Sequence, residues 1–162
     1  MMPRKSTSVW PWNSRSDSAQ QGASVPPDVL GGAELDTIAT STLLSYPMRQ
    51  PFELRTEVVE ADGALSVREP TQLGPVGGAG LVDMAGVVAV LHTHPYFTRT
   101  QGARGGFDAR ATNRANESIG PRDDELVTKY RVPNYFRTPT GRIKVVEIVG
   151  GKIRVRLVYD GE

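Results

Sequence analysis

The feature that most constrains this chain is Gly86-Val-Val-Ala-Val-Leu-His92-Thr-His94-Pro95, an apolar run that ends in two histidines one residue apart. A run of β-branched and aliphatic residues this short reads as a buried strand. On a strand, residues i and i+2 project to the same face, so both imidazoles point one way. They are the only two histidines in the chain. The pair has a chelating geometry for a divalent ion of the zinc type. Such an ion takes imidazole nitrogens at about 2.0–2.1 Å and a third protein ligand, and keeps a position open for water where the site is catalytic. The alternative reading leaves one histidine in solvent at the strand end and makes the other a satisfied core residue.

The third ligand is narrowed by composition. There is no cysteine, which excludes disulfides and thiolate sites and leaves imidazole and carboxylate. Lys and Arg number 19 against 18 Asp and Glu, a net charge of +1, so there is no global case for nucleic acid or an anionic membrane. A length of 162 residues suits one domain. The longest apolar run is far below the ~20 residues of a membrane span. Met1 to Gln20 lacks the apolar core of a classical signal peptide despite Arg4 and Lys5, so export would follow another route.

Residues 1 to about 32 are rich in Ser, Gln, Pro and Gly, with Trp10 and Trp12 around Pro11, and read as a disordered arm or linker. From residue 33 to 162 we expect one domain. Leu35, Ile38, Ala39, Leu43 and Tyr46 fall at helical spacing before Pro47 and predict a helix over Glu34 to Tyr46. Phe52 to Val59 and Ala64 to Arg68 flank Asp62-Gly63 and predict a hairpin. Gly74 to Gly80 is glycine-rich but lacks the strand before and helix after that a phosphate loop requires, so it carries no nucleotide role. After the strand at Val87 to His94, Pro95 to Ser118 has three glycines, four arginines and no usable period, the marks of a long functional or mobile loop.

Gly120-Pro121-Arg122-Asp123-Asp124-Glu125 predicts a helix start, with Leu126, Val127 and Tyr130 as its apolar face. Tyr135 to Thr138, Arg142 to Val149 and Lys152 to Tyr159 read as strands. In the last, Ile153, Val155 and Leu157 alternate with Lys152, Arg154 and Arg156, giving an apolar face for the core and a basic one for solvent. The expected class is α+β with a mainly antiparallel sheet. Asp123 and Asp124 are candidates for the third ligand, although carboxylates in a first helical turn are stabilised by the dipole without any metal.

His92-Thr93-His94-Pro95 followed at a distance by Gly120-Pro121-Arg122-Asp123 resembles the JAB/MPN (JAMM) metallopeptidases, whose signature is His-x-His-Pro, then Ser-x-x-Asp, with a glutamate upstream. A narrower resemblance is to the JAB-like domain of Rhs-associated and other polymorphic toxins of bacteria. It is carried by Leu35-Asp36-Thr37, His92 to Pro95, the long loop, Gly120 to Asp123 and Tyr135 to Arg142, over residues 34 to 148. The resemblance implies that His92, His94 and Asp123 hold one Zn²⁺, with Asp124 as the fallback. It implies that Glu53, before Glu57 or Glu60, is the general base that takes the proton of a water activated by the metal. Two positions depart from the pattern. Gly120 stands where the family has its oxyanion-stabilising serine, and Leu54 and Arg55 stand where it has small glycines.

The function implied is a zinc-dependent hydrolase of peptidase or isopeptidase type, the toxic domain of a secreted interbacterial effector. Its partners would be a protein or peptide substrate, a cognate immunity protein and a larger secretion carrier. It would be made in the bacterial cytoplasm and exported by a specialised secretion system, with no membrane or nucleic-acid partner. Two alternatives stay open. One is a JAB-like binding module without catalysis, which Gly120 permits. The other is a metal-dependent nuclease toxin, for which Asn113, Asn116 and the basic last strand are the relevant residues.

Overall fold

The apolar run before the histidines becomes an interior strand because both of its faces are covered. The computed structural model describes residues 26–73, 83–98, 108–120 and 122–161. Among them the helices are α1 (Ala33–Ser45), α2 (Ala109–Ala115) and α3 (Asp123–Tyr130). The strands are β1 (Glu53–Ala61), β2 (Ala64–Val67), β3 (Thr71–Leu73), β4 (Val87–Thr93), β5 (Asn134–Arg137), β6 (Ile143–Val149) and β7 (Lys152–Tyr159). They form one sheet in the order β2-β1-β4-β5-β6-β7, with β3 beside the first half of β1. Every pairing is antiparallel except β4 with β5. A parallel pair needs a crossover connection, and the segment from His94 to Pro133, carrying α2 and α3, is that crossover. The protein is thus α+β with a mainly antiparallel sheet.

On one face, Ala39 and Leu43 of α1 pack against Val58, Ala89, Leu91, Tyr135, Ile143 and Val145. On the other, Val127 of α3 packs against Phe136, Val146 and Ile148. Fully burying one such aliphatic side chain contributes about 1.5–3 kcal/mol. Helix α1 ends where Tyr46 turns extended before Pro47, and Arg137, 8% exposed, donates to the carbonyls of Leu43 and Tyr46 at 3.0 and 3.1 Å. A cation there suits the negative end of the helix. The β1–β2 hairpin turns on Asp62 and Gly63, both at positive φ (53° and 78°), as a type I′ turn requires.

Three expectations are corrected. The arm was expected to run to residue 32, yet Val29 is buried, pairs with Ile148 and joins the α3-side core. An apolar residue between prolines and glycines has no period to announce it. The segment from Pro95 to Ser118 contains α2, whose N-cap Asp108 accepts from the backbone N–H of Ala111 at 3.1 Å. Only Ala109 is buried in it, too little for a hydrophobic stripe. In β7 the faces are exchanged: Ile153, Val155 and Leu157 are 37%, 41% and 50% exposed, while Arg154 and Arg156 turn to the α1 side. Strand alternation defines two faces but not which one meets the core. Here the buried acid on β6 selects it. The expectations placed on residues 1–25, on Gly74 to Gly80, on residues 99–107 of the long loop and on Pro121 lie outside the described residues.

That acid is Glu147, 1% exposed. It accepts from Arg154 and Arg156 at 2.9–3.1 Å and from the backbone N–H of Gly31 at 2.7 Å. Arg156 also donates to both oxygens of Asp36, which accepts from the Tyr135 hydroxyl at 2.6 Å. Burial pushes both carboxyls up, but the arginine bonds outweigh it and both lie below their ordinary values. A carboxyl depressed in the folded state contributes stability above its unfolded pKa of about 3.9–4.3, and that stability is lost as pH falls through the folded value. Glu147→Gln is expected to cost about 2–3 kcal/mol at pH 7. That is less than the 3–5 of a fully buried pair, because the arginine side chains remain 49% and 32% exposed. Thermal melts should show the gap to wild type narrowing towards about pH 3, and a gap independent of pH would overturn this account.

Candidate metal centre

His92 and His94 leave the C-terminal end of β4 on the α3 side, and Asp123, the first residue of α3, meets them. Nε2 of His92 lies 3.1 Å from Asp123 Oδ1, Nε2 of His94 lies 3.1 Å from Asp123 Oδ2, and the two Nε2 atoms are 3.1 Å apart. All three residues are buried or nearly so. Phe136 on β5 stacks on the His94 ring at 4.5 Å between centroids. Asp123 Oδ2 also accepts the backbone N–H of Gly120 at 2.7 Å, and Asn134 donates to the Asp123 carbonyl at 3.1 Å. The carboxylate is therefore held by the loop and both histidines, and the backbone of Asp123 by the next strand.

The tautomer of His94 follows from its partner. Nδ1 lies 2.7 Å from the Asn116 carbonyl, which can only accept, so Nδ1 carries a proton and Nε2 is the nitrogen turned to Asp123. Nδ1 of His92 and Oδ1 of Asn134 are both buried polar atoms without a hydrogen-bond partner. Burial alone would lower His92, but the charge and hydrogen bond of Asp123, the charge of Glu53 and Asn134 raise it above its ordinary value. Burial would raise Asp123, and the two histidines hold it far below the usual carboxylate range.

Two imidazole Nε2 atoms and a carboxylate converge at 3.1 Å, an arrangement that could hold a cation between them. Ligands at about 2.0–2.1 Å in a tetrahedron stand about 3.3 Å apart, close to the edges found here. The donor set fits: His92, His94 and Asp123 can hold a metal ion. Outside this set, carbonyl-oriented imidazoles are the usual support of metal-binding histidines.

Glu53 opens β1. Arg55 pairs with His92, so counting outward Glu53 stands level with His94 and on the same face. It is close enough for its charge to act on His92. Glu57 pairs with Val90, further from the histidines, and lies 3.9 Å from Arg68. Asp124, half-buried on the first turn of α3, is not brought to the histidines. At Gly120 a Cβ would meet only Asp123 Oδ2, at 3.6 Å, so the backbone has room for a side chain. Arg55 flanks His92 where the resemblance expects a glycine.

Asn113 and Asn116 both hold the crossover in place. Asn113 exchanges hydrogen bonds with the backbone of Phe97 at 2.8 and 2.9 Å, and Asn116 donates to the Pro95 carbonyl at 2.6 Å. The motif segments remote from the histidines also find roles. Asp36 and Tyr135 bond each other across 99 positions, and Gly31 beneath them can carry no Cβ, which would lie 2.1 Å from the Tyr135 hydroxyl. Thr138 to Arg142 is a turn with Gly141 at φ 93°, whose Thr140 is bound by the Glu117 carboxylate. Asn116, Asn134 and Phe136 are the supporting residues that sequence reasoning missed as such. Asn116 acts through its carbonyl, which every residue has, so no signal for it existed.

Among the described residues no helix is long and apolar enough to cross a membrane. No protein-family model, no curated protein and no solved structure matches this chain.

Proposed function

We propose that the protein is a zinc-dependent hydrolase of peptide or isopeptide bonds, in the manner of the JAB/MPN metallopeptidases, and that it is the toxic domain of a secreted interbacterial effector. The observation that carries this reading is the convergence of His92, His94 and Asp123 with Glu53 on the same sheet face. Zinc is the metal of choice because two imidazoles and one carboxylate at tetrahedral spacing, without sulfur, match its catalytic sites. When bound, the ion supplies Lewis-acid polarisation of the scissile carbonyl and lowers the pKa of water toward ~7. His92, His94 and Asp123 hold it. Glu53 accepts the proton of the attacking water and returns it to the leaving nitrogen. The made-in-cytoplasm, exported protein would travel with a larger carrier and be neutralised in its producer by an immunity protein.

One observation favours a second reading. The backbone N–H of Gly120 is spent on Asp123, so residue 120 offers neither a hydroxyl nor a free N–H to an oxyanion. A module that keeps the metal and binds without cleaving would tolerate that. The two readings are separated by incubating the zinc-loaded full chain with the soluble proteins of a sensitive bacterium and counting new amino groups. The hydrolase releases them, stops on chelation and resumes when zinc returns. Bound zinc with no release leaves the binding module.

A further inference from the structure

Beside the histidines the crossover forms a second feature that the metal centre does not use. A cavity of about 400 Å³ opens between Arg49, the Tyr96–Phe97 segment, α2 and the Pro139–Thr140 turn. Arg49, Arg110 and Arg114 line it, and all three are exposed. Among the described residues none of them has a carboxylate within ion-pair distance; Arg49 lies 5.2 Å over the Tyr96 ring. The one acid on the wall, Glu117, has both oxygens turned to Thr140, at 2.9 Å to its N–H and 2.7 Å to its hydroxyl. Arg49 and Pro139 also line a narrow crevice with Thr93 and His94, so the arginine-lined cavity shares two of its walls with a crevice at the edge of the metal centre.

We infer that this cleft is a recognition subsite for carboxylate side chains of a peptide whose backbone passes His94. Three guanidinium groups around one concavity, none ion-paired with an acid among the described residues, attract anions, and their planar forks match carboxylates. A peptide fits better than a polynucleotide. The cavity is the size of one or two side chains rather than a backbone track, the net charge of the chain is only +1, and neither aromatic ring is open for base stacking. The Tyr96 ring carries Arg49, and Phe97 is 9% exposed. Calling the peptide a substrate rests on the hydrolase reading, whereas the binding itself does not.

The test uses the full chain and two synthetic peptides of equal length, one rich in glutamate and the other with glutamine at the same positions. The glutamate peptide should bind at least about tenfold more tightly, with an affinity that falls as salt rises. Arg114→Glu should abolish that preference without changing zinc content or thermal midpoint. Lys152→Glu makes the same charge change at the far end of the sheet and should keep it. Equal affinity for the two peptides, a preference that survives Arg114→Glu, or an oligothymidylate that displaces the glutamate peptide would each overturn the proposal. Cleavage is read separately. Peptide binding without cleavage leaves the subsite standing and removes the hydrolase, and cleavage without acidic preference does the reverse.

Discussion

Asp123→Ala is expected to take the metal content of the purified protein from about one divalent ion per chain to less than about a tenth of that. Asp123 supplies the only charge among the three converging ligands, and both of its oxygens face an imidazole. Without it two neutral rings remain, which no longer offset the loss of water from the ion. His92→Ala and His94→Ala should lose the ion as well. Asp124→Ala should keep it, because Asp124 stands outside the cluster. The stability readout is independent of any activity. Zinc at about a hundred times its dissociation constant stabilises the wild type by about 2.7 kcal/mol, which is roughly 5–10 °C for a domain of this size. Asp123→Ala should show no such shift. Metal analysis that finds full occupancy in the His92/His94 double variant would end the site assignment.

Glu53→Gln should lower hydrolysis by about 10²–10⁴-fold while leaving metal content and thermal midpoint as they are. The substitution keeps size and hydrogen-bonding shape and removes only the proton acceptor. Its position level with His94 on the same sheet face is the reason to place the base there rather than at Glu57. Glu57→Gln should be near wild type. Harm to a sensitive bacterium expressing the protein should vanish with Glu53→Gln and persist with Glu57→Gln. Undiminished harm in both, with the metal still bound, would sink the hydrolase and leave a binding module, since a binder has no use for that proton acceptor.

Much of this site is local in its logic and therefore visible in the chain. The i, i+2 spacing of His92 and His94 on a short apolar run sets their common face through strand geometry alone. The absence of cysteine restricts the third ligand to a carboxylate, and Asp62-Gly63 announces its own turn. The class of fold follows from the same periodicities, because apolar runs of strand length separated by turn residues leave few other arrangements.

What lay beyond the sequence depends on partners far apart in the chain. Whether Asp123 or Asp124 meets the histidines is a matter of where α3 starts relative to β4, and two adjacent acids in a first helical turn differ by about 100° in direction. The proton on His94 is placed by a backbone carbonyl 22 residues away. The faces of β7 were read the wrong way round because alternation is symmetric, and only Glu147 and Asp36, brought together by the sheet and α1, make the arginine face the inner one. Sequence by itself determined which side chains share a face; the tertiary structure alone decided which faces meet, because that choice is made by burial and charge pairing between segments that have no common local period.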